Sequence, residues 1–146
     1  MYCGYCDAKK EKFFGWRLHL VCTPAGLPVN FEIVPAAFHD LTPIHELTVT
    51  LPEGACVYAD KAYNSAADEQ SILNDTGIRL VPIGRMNMVQ HTWADEFDLR
   101  LYRHSIDTRN SQLEAMGIQN LHARTHAGFE IKVIASLLAL ACLNLN

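Results

Sequence analysis

Two short apolar runs constrain this chain most. Ala55-Cys56-Val57-Tyr58-Ala59 follows the breaker Pro52-Glu53-Gly54, and Ile78-Arg79-Leu80-Val81-Pro82-Ile83 follows Gly77. Brief, nearly unbroken apolar runs bounded by turn residues read as strands buried on both faces. Residues 65–75 between them have the polar opening of a helix, and Gly77 suits a helix end. A helical crossover joins parallel strands, so the runs are expected to pair as a βαβ unit. Asp60 directly follows the first run, and Lys61, Tyr63 and Asn64 follow it. Open α/β sheets hold ligands at the carboxyl ends of their strands. Asp60 therefore reads either as a chemical residue or, more plainly, as a cap on the following helix or a partner of Lys61.

Upstream, residues 13–22 (FFGWRLHLVC) alternate, with Trp16, Leu18, Leu20 and Cys22 set against Arg17, His19 and Val21. Residues 27–35 alternate again, with Val29, Phe31 and Ile33 against Asn30 and Glu32. Period-2 alternation across the turn Thr23-Pro24-Ala25-Gly26 predicts an antiparallel hairpin. Thr42 as cap with Pro43 at the first helical position predicts a helix, cut short by β-branched Thr48-Val49-Thr50. Residues 84–96 lack periodicity and read as a loop, and residues 97–116 recover a helical rhythm that Gly117 ends. The order β-β-α-β-α-β-α-α predicts a mixed sheet flanked by helices: α/β, the ribonuclease-H-like order with its first strand missing or displaced.

The 146 residues fit one domain, 1–146. A formal net charge of −4 argues against a freestanding basic nucleic-acid binder, although a local basic patch can coexist with it. The first residues lack the charged and apolar regions of a secretory signal. The five cysteines are expected to be free thiols in a reducing, cytoplasmic compartment. Cys3-x-x-Cys6 has no second half at zinc-site spacing. Residues 129–145 form the most apolar stretch, broken between 131 and 143 only by Lys132 and Ser136. A span needs about 20 apolar residues, so the stretch reads as a mostly buried helix and not as a membrane segment. Being apolar on nearly every side, it suggests a surface for a partner, a homodimer among them. His39-Asp40 reads as a ligand pair or, more simply, as a helix-start hydrogen-bond acceptor. The phosphate-loop, dinucleotide, Gly-x-Ser-x-Gly and His-Glu-x-x-His motifs are all missing.

Asp60 at a strand end and Asp107 on the later helix could jointly bind Mg²⁺, a hard cation that prefers oxygen. Two such ions support in-line phosphoryl transfer. Arg103 precedes Asp107 by one helical repeat, and its planar guanidinium suits phosphate. The plainer reading is a surface ion pair between Arg103 and Asp107 worth at most about 0.5 kcal/mol.

Several short motifs occur in order: Phe14-Gly15-Trp16-Arg17-Leu18-His19-Leu20, Gly26-Leu27-Pro28-Val29, His39-Asp40, Ala59-Asp60-Lys61-Ala62-Tyr63-Asn64, Ser105-Ile106-Asp107-Thr108 and Gly128-Phe129-Glu130-Ile131-Lys132-Val133. The ordered set, spanning about residues 4–145, resembles bacterial insertion-sequence transposases of the DDE class, most closely the nine-eighty-two group. That resemblance implies a ribonuclease-H-like core in which two aspartates and a glutamate hold two Mg²⁺ or Mn²⁺ ions. It also implies an enzyme that cuts transposon ends and joins them to target DNA. Asp60 matches the second aspartate, Asp107 stands where the glutamate is usual, and Arg103 matches the arginine four residues earlier. The family's first aspartate lies on a strand upstream of Tyr2. Asp107 is one methylene shorter than glutamate, and Glu114 stands where related groups often carry lysine. The expectation is a C-terminal remnant of a transposase gene that is not catalytic alone.

Overall fold

The computed structural model describes residues 2–6, 10–84 and 92–145. The chain divides into two compact units, Met1–Val21 with Asn30–Leu99 and Cys22–Val29 with Arg100–Asn146.

The first unit holds the βαβ element foreseen from the two apolar runs. Strands β5 (Cys56–Ala59) and β6 (Arg79–Pro82) pair in parallel, Val57 opposite Leu80 and Ala59 opposite Pro82. Helix α2 (Ala66–Thr76) connects them. Ser65 caps it by accepting the Asp68 N–H, and Gly77 closes it at φ 70°. Glycine tolerates that left-handed backbone without steric cost. Ile72 of α2 and Leu80 of β6 meet Ile78 and Ile44, the latter from α1 (Ile44–Val49). Leu51, Ala55, Val57, Ala59 and Tyr63 pack around these four. Ile78 is fully buried, and burying such a side chain contributes roughly 1.5–3 kcal/mol.

Four more strands lie upstream. β1 (Cys3–Cys6) and β2 (Glu11–Phe14) are antiparallel, Cys3 opposite Phe14. Gly15 bends the chain into β3 (Trp16–Cys22), which pairs with β4 (Pro28–Pro35). The Gly15 N–H donates to the Tyr2 carbonyl, and the Gly15 carbonyl accepts from the Ala36 N–H. The hairpin and the parallel pair appear as expected. Among the described residues the strands pair two by two, and no single mixed sheet forms.

Several local expectations need correction. On β3 the most buried residue is His19, from the face read as polar, because its ring is engaged by Tyr63. On β4 Val34 is buried, whereas Val29 is half exposed. Helix α1 begins at Ile44 with Pro43 at its cap position, so Thr42 does not cap it. Its C-terminal end is instead held by Asn30, whose amide donates to the Glu46 and Leu47 carbonyls at 3.0 Å. Helix α3 (Trp93–Ala115) starts a turn earlier than the apolar rhythm indicated. Thr92 accepts the Asp95 N–H there, which supplies the start signal. The remainder of the loop read at 84–96 lies at 85–91, outside the described residues.

In the second unit the Thr23–Leu27 turn closes through Thr23 N–H to Leu27 O and Gly26 N–H to Thr23 O, both 2.8 Å. Arg109 of α3 donates to the Ala25 carbonyl. A 3₁₀ turn (Ile118–Asn120) leads to α4 (His126–Leu143), capped by Thr125. Val133, Leu137 and Leu140 are the buried stripe of α4, and Asn144 just beyond it donates to Gln112 of α3. The helix is 18 residues, longer than its apolar run. By length and composition it is apolar enough to cross a membrane, with mean hydropathy 1.6.

Candidate active site

Asp60 leaves β5 in extended backbone and opens a 3₁₀ turn, Lys61–Tyr63. Its Oδ1 accepts the Lys61 N–H at 2.8 Å, and its carbonyl accepts the Tyr63 N–H at 3.0 Å. The residue is exposed. The cap reading of Asp60 thus meets a fact. It does cap a turn, but α2 has its own cap in Ser65. The Asn64 amide donates to the Ile83 carbonyl at 2.5 Å and ties the turn to the end of β6.

The neighbourhood was not legible in the sequence. His19 Nδ1 and the Tyr63 hydroxyl lie 2.5 Å apart, with the rings edge to face at 5.9 Å. His19 is only 6% exposed, and its Nε2 is buried without a hydrogen-bond partner among the described residues. Burial pushes the His19 pKa down, and the Asp40 charge opposes that shift. Burial first, then the charges of Asp40 and Asp60, hold the Tyr63 phenol well above its ordinary range. Both groups are therefore neutral near pH 7. A neutral imidazole that accepts at Nδ1 carries its proton on Nε2. Asp40 itself pairs with Arg17 at 2.5 Å, and Arg17 also donates to the Tyr5 carbonyl. His39 Nδ1 accepts the Leu41 N–H. The His39-Asp40 step therefore has structural partners.

Arg103 and Asp107 sit in the second unit, on α3. Their side chains are 61% and 66% exposed, and Arg103 Nε lies 4.0 Å from Asp107 Oδ2. That is the expected helical pair at the outer limit of an ion pair, in high dielectric, where such pairs contribute little. The Cys3 thiol is exposed and free. Among the described residues no group of three or more His, Cys, Asp or Glu side chains is poised to hold a metal ion.

A carboxylate closing a parallel strand and an arginine–carboxylate pair on a long helix are thus found in a small α/β protein. A family model described as transposase DDE domain matches residues 6–127, and the chain belongs to that family. No curated protein and no solved structure matches it. The family is one of transposases, which act on DNA and depend on divalent metal. The donor chemistry fits such a metal. Asp60 and Asp107 are both solvent-exposed carboxylates, and Oδ2 of Asp60 is not taken up by the Lys61 cap. Hard oxygen donors of this type suit Mg²⁺ or Mn²⁺.

Proposed function

We propose that this chain carries the metal-binding residues of an insertion-sequence transposase of the nine-eighty-two group, with a ribonuclease-H-like core. The family match over residues 6–127 carries the reading. Asp60 and Asp107 each offer a carboxylate to a divalent cation, and Arg103 offers a guanidinium to a DNA phosphate. The bound cation would supply charge stabilisation for cleavage and joining of DNA strands at transposon ends and target DNA. The protein's part is to hold Asp60 on its capped turn and to keep Arg103 beside Asp107. The ribonuclease-H-like reading seats another aspartate-bearing strand beside β5. Its support here is that β5 pairs with β6 alone among the described residues.

Asp107 is one methylene shorter than the glutamate usual at its position, so the chain by itself is a weak catalyst. Titration with Mn²⁺ should show binding that Asp60→Ala abolishes. With supercoiled DNA and Mn²⁺, Asp107→Glu should nick faster than the wild type. Binding that survives in Asp60→Ala, or an Asp107→Glu variant no faster than wild type, would sink the assignment. A second reading, a non-enzymatic module that self-associates through residues 129–145, is favoured by one observation. Ile131, Ile134 and Leu138 of α4 are all exposed.

A further inference from the structure

Asp60 is exposed, and a carboxylate that binds a cation must be held in one orientation by what surrounds it. Here the holding falls to the turn. The Tyr63 N–H closes it on the Asp60 carbonyl, and Asn64 fastens it to Ile83. Its third attachment reaches a different strand: the Tyr63 hydroxyl and Nδ1 of His19 on β3 share a hydrogen bond. We propose that His19 and Tyr63 are a positioning pair, which anchors the Asp60 turn to β3 and so fixes the approach of the carboxylate to its cation. The proposal rests on the reading of Asp60 as a metal ligand. Neither residue is placed on the cation.

Two observations separate this role from simple core filling. A leucine at position 19 would fill a buried strand site with no polar atom to satisfy, whereas His19 leaves Nε2 buried with no hydrogen-bond partner among the described residues. A buried polar atom without a partner costs stability, so packing alone argues against histidine. What histidine adds over leucine is the hydrogen-bonding nitrogen Nδ1, and that nitrogen engages the turn that begins at Asp60. Tyr63 is likewise the residue by which the turn both closes and reaches outward. Its backbone N–H bonds to Asp60 and its side chain to His19. Losing the phenolic bond loosens the closing end of the turn, while the Tyr63 ring keeps its place against the Ile44, Ile72, Ile78 and Leu80 cluster.

The test uses the whole chain and four variants. Tyr63→Phe removes the hydroxyl and keeps the ring. His19→Leu removes the acceptor. His19→Asn keeps an acceptor oxygen close to where Nδ1 stands. Asp60→Ala reports on the ligand itself. Two readouts are taken, the Mn²⁺ dissociation constant and amide hydrogen exchange of the Lys61 N–H, which bonds to Asp60 Oδ1. Tyr63→Phe and His19→Leu should weaken Mn²⁺ binding about tenfold, the scale of outer-shell partners of metal ligands. They should also speed Lys61 exchange while the Ile72 and Leu80 amides keep their protection. His19→Asn should return both readouts close to wild type. Unchanged Lys61 exchange in Tyr63→Phe and His19→Leu overturns the positioning pair, whatever the metal does. So does equal loosening of the Ile72 and Leu80 amides, which would mark a purely structural role. If Asp60→Ala binds Mn²⁺ as the wild type does, the reading of Asp60 as a ligand fails, and Lys61 exchange still decides whether the pair orders the turn.

Discussion

Asp95 shows how much one buried charge can do at the scale of a single residue. It is 5% exposed and accepts from both terminal nitrogens of Arg79, at 3.1 and 2.8 Å, and from the Thr92 hydroxyl at 2.7 Å. Arg79 first, then Thr92, pull its pKa down from 3.8 to about 2. Because the folded value lies below the unfolded one, the unfolded chain takes up a proton first as pH falls. The stability it contributes is complete above the unfolded value and drains away as pH drops towards 2. Asp95→Asn should lower stability at pH 7 by about 1.5–3 kcal/mol, the range for hydrogen bonds to charged groups. It should also flatten the fall in urea midpoint between pH 4 and 2. An unchanged acid limb in the variant would contradict this account. Thr92-Trp93-Ala94-Asp95 carries a capping spacing that the sequence displays openly. It is overlooked when apolar rhythm alone is followed, because the rhythm begins at Phe97. Asp60 was legible for the opposite reason: a short apolar run points straight at it. His19 was not legible, because alternation assigns it to the polar face and only a partner from a distant turn, Tyr63, takes it inward.

At the scale of elements, the parts read correctly are those with local signals at both ends. Helix α2 is delimited by Ser65 and Gly77, and each does what its side chain, or lack of one, predicts. The faces of β3 and β4 were harder. Which side of a strand is buried depends on what later packs there, and the sequence of the strand does not contain that. The hairpin turn offers a sharper test. Gly26 is buried at φ 87°, and a Cβ on it would collide with the Arg109 guanidinium. Arg109 also faces Cys22, whose thiol burial pushes up to about 11. Gly26→Ala would therefore add a strained backbone and displace Arg109 from the Ala25 carbonyl. A loss of about 1–3 kcal/mol in urea unfolding is expected, the cost of one strained residue or somewhat more. A neutral Gly26→Ala would mean that Arg109 is not anchored to the turn.

For the molecule as a whole, α4 leaves a row of large apolar side chains open. Ile131, Ile134, Leu138 and Leu143 are between 43% and 65% exposed; Ile131 and Leu138 lie opposite the Val133, Leu137 and Leu140 stripe, and Ile134 and Leu143 flank it. Exposed apolar faces of this kind mark association sites. Gel filtration at micromolar concentration should return a mass above 16.4 kDa, and Leu138→Lys should return the monomer with helicity intact. A monomeric wild type would refute self-association. The sequence foretold an apolar helix here but placed its buried stripe around nearly the whole circumference, since composition alone cannot say which face a partner element covers.

Helix α3 contributes Trp93–Leu99 to one compact unit and the rest of its length to the other, and the β3–β4 hairpin gives its tip to the second unit in the same way. Each unit is therefore assembled from two separate stretches of gene. No single crossover between related genes can exchange either unit whole. A deletion from either end reaches both before it has removed one. For this member of a transposase family, the two units are inherited together or broken together.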